Sequence, residues 1–179
     1  MTLTVFNPFN RQEIAQLALQ TAADVDAALS RARGLFEKRA DWLPPRERMA
    51  ILEKTAALME QRVEELTQIA LREGGKPYMD SRVEVLRAIN GVRVAAGCIA
   101  QLKGEQVPMG LNEASAHRWA YTLREPVGVV VSVSAFNHPL NLIVHQTATA
   151  LAAGCPVIIK PAATTPLSCL NFVKILAEA

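Results

Sequence analysis

The sequence predicts an α/β fold in which helices and a β-ribbon precede the first β-α-β-α unit of an incomplete parallel sheet. Two observations carry this prediction. Capped, amphipathic helical patterns fill most of the first hundred residues, and an apolar strand–helix–strand pattern occupies Val127–Ala163. A strand buried on both faces of a parallel sheet is a continuous hydrophobic run, which is the character of residues 127–134. We therefore expect three parts, residues 1–103, 104–126 and 127–179.

The first part opens with two extended segments and a capped helix. Thr4–Asn10 and Glu13–Leu19 are suited to pair as a small hairpin. Thr21 and Asp24 match the S/T-x-x-D/E pattern, in which a hydroxyl and a carboxylate satisfy free backbone N–H groups at a helix start. The apolar residues that follow fall on one face of that helix: Val25, Ala28, Leu29 and Ala32.

Two longer helices complete the first part. Proline is favoured in the first turn of a helix, so Pro44 and Pro45 open the second helix. Its apolar periodicity continues to Gly74–Gly75, where the glycines indicate a stop. The third helix covers about Asp80 to Leu102.

Residues 104–126 change character and predict a β-ribbon. Glu105–Met109 and Ala116–Arg124 have the pattern of strands joined by a polar loop, and the second of them alternates loosely between large apolar and other residues. A ribbon of this kind often lies outside the main sheet, against a partner chain or a second domain.

The last part is a strand–helix–strand unit followed by a further helix that Pro166 opens. Val127–Ser134 is the first strand, and Pro139 suits the first helical position with His138 as the cap. Gly154 follows the crossover helix as its C-cap glycine, and Pro156–Lys160 forms the second strand. The connection between the strands should be right-handed.

Composition limits the classes of function. Nineteen basic and 17 acidic residues give a net charge of +2, with no basic run that would indicate nucleic acid. The three cysteines lack the spacing of a metal site and favour free thiols in a reducing compartment. No stretch reaches the roughly 20 apolar residues that span a bilayer, and residues 1–10 lack signal-peptide features. We expect a soluble cytoplasmic protein with no metal, nucleic-acid or membrane partner.

Two polar residues, Asn137 and Lys160, follow the two predicted strands. Ligands of open α/β sheets bind at this carboxyl edge. The Asn137 amide, near a helix start, suits an oxyanion that forms on a carbonyl carbon; the alternative is an asparagine that only shapes the turn. Lys160 is either a ligand-binding cation or a lysine that extends from the sheet edge into solvent. The turn 134–139 contains no glycine, so the usual G-x-G-x-x-G phosphate turn is missing.

The aromatic-Asn-x-Pro motif at Phe136–Pro139, followed by Ala-Ala-Gly and then Lys160–Pro161, resembles the aldehyde dehydrogenase superfamily. The resemblance extends over the whole chain. It implies a Rossmann-like cofactor domain, of which 127–179 forms the first half, and oxidation of an aldehyde to a carboxylic acid with NAD or NADP. In this family a cysteine forms a thiohemiacetal, hydride passes to the nicotinamide, and a glutamate activates the water that hydrolyses the thioester.

The resemblance also implies roles for individual residues. Asn137 would be the catalytic oxyanion-hole amide, residues 133–136 would line the nicotinamide side, and Lys160 would hydrogen-bond the adenosine ribose. The ribbon 104–126 would join the subunits of a homo-oligomer. The cofactor-binding positions implied are Val133, Ser134, Ala135, Phe136, Lys160, Ala162 and Ala163.

Departures from the family pattern bear on cofactor and substrate. Ala163 stands where many NAD-preferring members carry a glutamate that accepts from the ribose 2′-OH, which makes NADP a candidate. The presence of Arg87 and His138 resembles the pattern of members that act on small hydroxylated or anionic aldehydes, such as lactaldehyde, phosphorylated triose or phosphonoacetaldehyde. The resemblance therefore implies that both residues bind the substrate, with the arginine pairing with an anionic group. The alternative is that Arg87 and Arg93 are solvated or form structural ion pairs.

The family's nucleophilic cysteine, general-base glutamate and Gly-rich phosphate turn are expected beyond residue 179. Cys155 lies at the opposite end of the second strand from Lys160, and Cys169 lies on the last helix, so neither replaces the nucleophile. We expect an amino-terminal fragment that is inactive alone and binds NAD or NADP weakly or not at all. The alternative is a non-catalytic nucleotide-binding module or a self-associating interaction module.

Overall fold

Six α-helices and three separate two-stranded sheets make up the chain. The computed structural model describes all residues, 1–179. The strands are β1 (Thr2–Phe6), β2 (Glu13–Ala18), β3 (Gln106–Val107), β4 (Ala120–Tyr121), β5 (Val130–Val133) and β6 (Val157–Lys160). The helices are α1 (Ala22–Glu37), α2 (Pro45–Gln61), α3 (Val63–Gly74), α4 (Tyr78–Cys98), α5 (Asn141–Ala152) and α6 (Leu167–Glu178). The predicted α/β class and its incomplete parallel sheet are confirmed.

The predicted hairpin and the cap of α1 are confirmed. Strands β1 and β2 pair antiparallel. At the start of α1, the Thr21 hydroxyl accepts from the Asp24 N–H and the Asp24 carboxylate accepts from the Thr21 N–H at 2.8 Å. The apolar face of α1 is less covered than its pattern predicts, because Val25 and Leu29 are exposed and only Ala32 is buried.

The single helix predicted from Pro45 to Gly74 is wrong, since the chain forms two helices separated at Arg62. The backbone of Arg62 leaves the helical region at φ −113° and ψ 22°, and its guanidinium binds the Glu178 carboxylate of α6 at 2.8 Å. The change of direction lets α3 pack against both α4 and α6. No proline or glycine lies at the break, so the apolar periodicity of the sequence predicts one continuous helix there.

One hydrophobic core joins the helices before the ribbon to the β-α-β-α unit after it. Its fully buried side chains come from all of α2 to α6, and include Leu52, Leu66, Val85, Ile143 and Phe172. Helices α4 and α5 pack along each other, so α4 supports the helix that follows the sheet-edge turn. No helix combines the length and the apolar character that crossing a bilayer requires.

The ribbon is shorter than the sequence predicts. Strands β3 and β4 pair antiparallel over two residues each, and a short 3₁₀ turn at Glu113–Ser115 shapes the loop between them. The backbone of Thr122 approaches position 104 so closely that only glycine fits, since a Cβ there would lie 1.6 Å from the Thr122 carbonyl oxygen. Trp119 is 85% exposed, and Tyr121 and Leu123 are also exposed, so the large side chains of the ribbon contact little of their own chain.

Strands β5 and β6 pair in parallel, with Val130 opposite Val157 and Val133 opposite Lys160. Only residues 130–133 of the predicted 127–134 form the strand. Burial on both faces is also not observed, because Ser132 is 1% exposed whereas Val131 and Val133 are 55% and 54% exposed. Helix α5 packs against β5.

The crossover helix α5 starts at Asn141, two residues later than predicted from Pro139. The His138 side chain does not cap it, although the His138 carbonyl accepts from the Leu142 N–H at 3.0 Å. The predicted C-cap glycine is confirmed, since Gly154 has φ +86°. The Arg48 guanidinium donates to the Ala152 carbonyl at the same end, where a cation offsets the partial negative charge of the helix.

Candidate active site at the carboxyl edge of the parallel sheet

The ends of β5 and β6 bring Asn137 and Lys160 to one edge of the sheet, as their positions in the sequence predict. Pairing continues one residue past β5, where the Ser134 N–H donates to the Lys160 carbonyl at 3.0 Å. Beyond this point the two chains diverge into the loops that precede α5 and α6. Asn137 and Lys160 are both exposed, and the Lys160 ammonium contacts only the Pro161 carbonyl, at 3.1 Å. Both side chains are thus accessible at the edge.

Of the remaining sequence-predicted cofactor residues, Val133 ends β5, and the others, including the half-buried Ala135, lie in the two loops. Ser134 and Ala162 are buried, Phe136 is 66% exposed, and Ala163 is exposed. The Ser134 hydroxyl donates within its own turn, to the Ala135 carbonyl at 3.1 Å. The Thr165 hydroxyl donates to the Phe136 carbonyl at 3.0 Å and so ties the two loops together. This hydrogen bond joins the two loops along the sheet edge.

A buried carboxylate that sequence reasoning missed organises the start of α5. Glu84 of α4 has a fully buried side chain, and its Oε1 accepts from the N–H groups of Leu140 and Asn141 at 3.0 and 3.2 Å. Its Oε2 pairs with the Lys76 ammonium and lies 3.4 Å from His138 Nδ1. Glu84 thus supplies the cap that the sequence assigns to His138.

Glu73 caps α6 in the same way. The Glu73 carboxylate accepts from the N–H groups of Leu167 and Ser168 at 2.6 and 2.8 Å. Burial raises the pKa of Glu73, although the hydrogen bonds from Ser168 and Leu167 act in the opposite direction. Free N–H groups at a helix start are a common binding site for phosphate. Here protein carboxylates already hold these N–H groups in both helices that follow the strands.

An open groove of about 780 Å³ runs between α4 and α5. Its walls are largely apolar, and Arg87, Asn90, Asn141 and His145 supply polar groups. Asn141 is buried, and its Oδ1 has no hydrogen-bond partner within the chain. Arg87 is exposed and forms no ion pair, whereas Arg93 on the same helix binds Glu60 at 2.6 Å. The structural ion-pair interpretation therefore holds for Arg93 and not for Arg87.

The two sequence-predicted substrate residues do not meet. Arg87 lines the groove, whereas the His138 ring contacts Glu84 and lies 3.3 Å from the Lys76 ammonium. His145, which the sequence did not single out, lines the groove together with Arg87. One turn of α5 separates His145 from Asn141, which is the spacing that places two side chains on one helix face.

None of the three cysteines lies at the edge where Asn137 and Lys160 meet. Cys155 is buried in the turn before β6, at the other end of the sheet. Cys169 is buried in α6, and burial raises its pKa to about 12, which keeps it a thiol at neutral pH. Cys98 is exposed at the far end of the groove. No group of three His, Cys, Asp or Glu side chains is placed to hold a metal ion.

Comparison with known proteins identifies the family. A family model described as "Aldehyde dehydrogenase family" matches residues 1–179. The 3-sulfolactaldehyde dehydrogenase of Priestia aryabhattai is 36% identical over 177 residues, which are 99% of this chain and 36% of that protein. The chain thus spans about a third of the length of the curated relative it matches.

Two solved structures have the same fold over this chain. Aldehyde dehydrogenase 21 from Physcomitrella patens, in complex with the reaction product succinate, has a TM-score of 0.93 and 36% identity, and the match covers 98% of this chain and 36% of that one. The glyceraldehyde-3-phosphate dehydrogenase GapN from Methanocaldococcus jannaschii, complexed with NADP, has a TM-score of 0.89 and 32% identity, and the match covers 98% and 37%. The predicted resemblance is confirmed, and the chain belongs to the aldehyde dehydrogenase family.

Proposed function

We propose that this chain forms the amino-terminal part of an NAD(P)-dependent enzyme that oxidises a small anionic aldehyde to a carboxylic acid. The observation that carries the proposal is the position of Asn137. Its side chain lies exposed at the carboxyl edge of a parallel sheet, on a turn whose backbone is held by Lys76 and by the buried Glu84. The family membership supplies the chemistry that such a donor serves.

The proposed role of Asn137 is to donate a hydrogen bond to the aldehyde oxygen. Attack by a nucleophile on the carbonyl carbon places negative charge on that oxygen, and a fixed donor stabilises this charge more than it stabilises the neutral aldehyde. A single donor of this kind contributes about 3–4 kcal/mol to the transition state in acyl-transfer enzymes. The exposed amide has no competing partner within the chain, so it is free to serve a ligand.

The residues at the sheet edge fit part of a dinucleotide. Lys160, an exposed cation at the end of β6, would hydrogen-bond a ribose hydroxyl, and the segment from Val133 to Phe136 would line the nicotinamide. Ala163 offers no carboxylate to repel a 2′-phosphate, which favours NADP as well as NAD. Since Glu84 and Glu73 occupy the N–H groups of α5 and α6, the pyrophosphate would be held elsewhere. These residues would hold a cofactor whose chemistry, when it is bound, is the acceptance of hydride.

The groove between α4 and α5 supports an anionic substrate. Arg87 is the cation along it that no carboxylate neutralises, and His145 and Asn141 add hydrogen-bonding groups beside it. The relatives point the same way, since their names and titles specify 3-sulfolactaldehyde, glyceraldehyde 3-phosphate and succinate. Each of these carries a sulfonate, phosphate or carboxylate group, and a guanidinium binds such groups with paired hydrogen bonds.

By itself the chain offers no nucleophile for this reaction, since Cys155 and Cys169 are buried away from Asn137 and the exposed Cys98 lines the groove between α4 and α5. We therefore propose that residues 1–179 alone do not turn over aldehyde, and that the whole protein supplies the cysteine and the general base.

The rival function is a self-associating module without catalysis. The exposed Trp119, Tyr121 and Leu123 of the ribbon favour self-association, and we propose that the ribbon joins subunits of a homo-oligomer.

Replacing Arg87 by alanine in the whole protein tests the substrate class. We expect kcat/KM for an anionic aldehyde to fall by about 10- to 100-fold, and kcat/KM for a neutral aldehyde of similar size to change by less than about two-fold, because a hydrogen-bonded charge pair contributes on the order of 1.5–3 kcal/mol. Arg93→Ala is the matched control, since it removes the same charge from the same helix at a residue that binds Glu60. An equal loss with both aldehydes would refute the anion hypothesis.

A further inference from the structure

Glu84 is the most completely buried acidic side chain of the chain, and all its contacts lead to the turn that carries Asn137. One carboxylate oxygen accepts from the backbone of Leu140 and Asn141 at 3.0 and 3.2 Å. The other pairs with the Lys76 ammonium and lies 3.4 Å from the His138 ring. A carboxylate without solvent contact requires such partners, because an unpaired charge in the interior is strongly destabilising.

Lys76 extends this network directly to Asn137. Its ammonium donates to the Asn137 carbonyl at 3.2 Å and also lies 3.3 Å from His138 Nδ1. Three consecutive features of the turn are therefore fixed by two side chains: the carbonyl of Asn137, the ring of His138 and the first N–H groups of α5. Glu84 belongs to α4, and Lys76 belongs to the loop that precedes it.

The exposed Asn137 amide has no side-chain anchor of its own. Its direction depends on its backbone, and the only charged group that contacts this backbone is the Lys76 ammonium. Catalysis by a hydrogen-bond donor depends on its placement, since a displacement of about 1 Å can lower a rate by about a hundredfold. The network thus has the geometry of a support for a donor whose own side chain remains free.

We propose that Glu84 and Lys76 are positioning residues that hold the Asn137 amide in place for the developing oxyanion. The inference rests on the proposed role of Asn137. Glu84 is not itself a catalytic residue, because its side chain is shielded from the crevice and its acceptor sites are occupied. Its counterpart Glu73 caps α6 with the same chemistry and forms no hydrogen bond with the Asn137 turn, so the two glutamates provide a matched pair.

The test is a double-mutant cycle in the whole protein, read by the single-turnover rate of cofactor reduction. Glu84→Gln keeps an oxygen for the Leu140 and Asn141 N–H groups and removes the charge that holds Lys76. We expect this rate to fall by about 10- to 100-fold, with the Kd of the cofactor and the KM of the aldehyde within about two-fold of wild type. In an Asn137→Ala background, Glu84→Gln should lower the rate by less than about two-fold, because its effect passes through the amide already removed.

Glu73→Gln is the control, expected to keep the single-turnover rate within about two-fold of wild type while thermal unfolding reports its effect on folding. Equal rate losses from Glu84→Gln in both backgrounds, or equal losses from Glu84→Gln and Glu73→Gln, would overturn the inference. A wild-type rate for Asn137→Ala would instead remove the proposed role of Asn137 and the inference with it. Should Glu84→Gln fail to fold, Lys76→Arg enters the same cycle, since it keeps the charge and changes the contact with the Asn137 carbonyl.

Discussion

Replacing Gly154 by alanine should destabilise the chain through a single backbone position. Gly154 ends α5 with φ +86°, a conformation that residues with a side chain rarely adopt. A Cβ there would lie 3.0 Å from Arg48 Nη1 and 3.1 Å from Pro126 Cγ. Arg48 cannot move away freely, because it is buried and its guanidinium holds the last turn of α5 through the Ala152 carbonyl.

The magnitude follows from three contributions. The left-handed conformation costs about 1–2 kcal/mol for a residue with a Cβ. Displacing packed neighbours costs about 1–3 kcal/mol, and the less flexible unfolded chain returns about 0.4–1 kcal/mol. The net loss in the free energy of unfolding is about 3 kcal/mol, which for a chain of this length corresponds to roughly 6–12 °C in Tm.

Chemical and thermal denaturation followed by circular dichroism measures this loss. Gly97→Ala is the matched control, since Gly97 lies inside α4 and nothing lies within 4 Å of the Cβ it would gain. We expect Gly97→Ala to stabilise the chain by about 0.5–1 kcal/mol, because alanine is the better helix former. A denaturation midpoint for Gly154→Ala at or above that of wild type would refute the steric argument.

Two further predictions follow from a buried acid and from the ribbon. Since burial raises the pKa of Glu73 above its usual 4.5, the stability this residue contributes is present below pH 4.5 and is lost as pH rises through the folded-state pKa. Glu73→Gln removes this dependence, so the urea midpoint of the variant relative to wild type should increase from pH 4 toward neutrality; a constant difference would contradict the assignment. Trp119→Ser, which removes a side chain that is 85% exposed in the single chain, should lower the mass measured by light scattering without shifting the circular dichroism spectrum. An unchanged mass would count against the ribbon as the subunit interface.

Local patterns predicted most of the fold because they depend on near neighbours. The capping pair Thr21 and Asp24, the C-cap Gly154 and the parallel order of β5 and β6 all follow from short-range chemistry or connection length. The break at Arg62 could not be predicted in this way. It depends on a contact with Glu178 from the far end of the chain and on the space between α4 and α6.

The residues of the candidate site likewise divide into those that local sequence predicts and those that depend on tertiary packing. Asn137 and Lys160 were predictable because parallel strands place their carboxyl ends together. Glu84 and Lys76 were not singled out, since their role depends on α4 packing against α5. One signal was present: Glu84 lies on the same helix face as the buried Ala88 and Val92, at the i, i+4 spacing. An acidic residue on an apolar helix face requires a buried partner, and the start of α5 provides it.

The ends of α5 show why this sheet edge differs from a glycine-rich nucleotide site. In a G-x-G-x-x-G turn, glycines let the backbone approach a phosphate and the free N–H groups of the helix bind it. Here the turn 134–139 has no glycine, and Glu84 already accepts from the first N–H groups while Arg48 offsets the charge at the other end. Because the helix is satisfied at both ends within the chain, its start is available to fix the backbone of Asn137 rather than to bind an anion. The missing glycines and the buried glutamate are therefore two parts of one arrangement, which agrees with our proposal that Asn137 is a positioned hydrogen-bond donor.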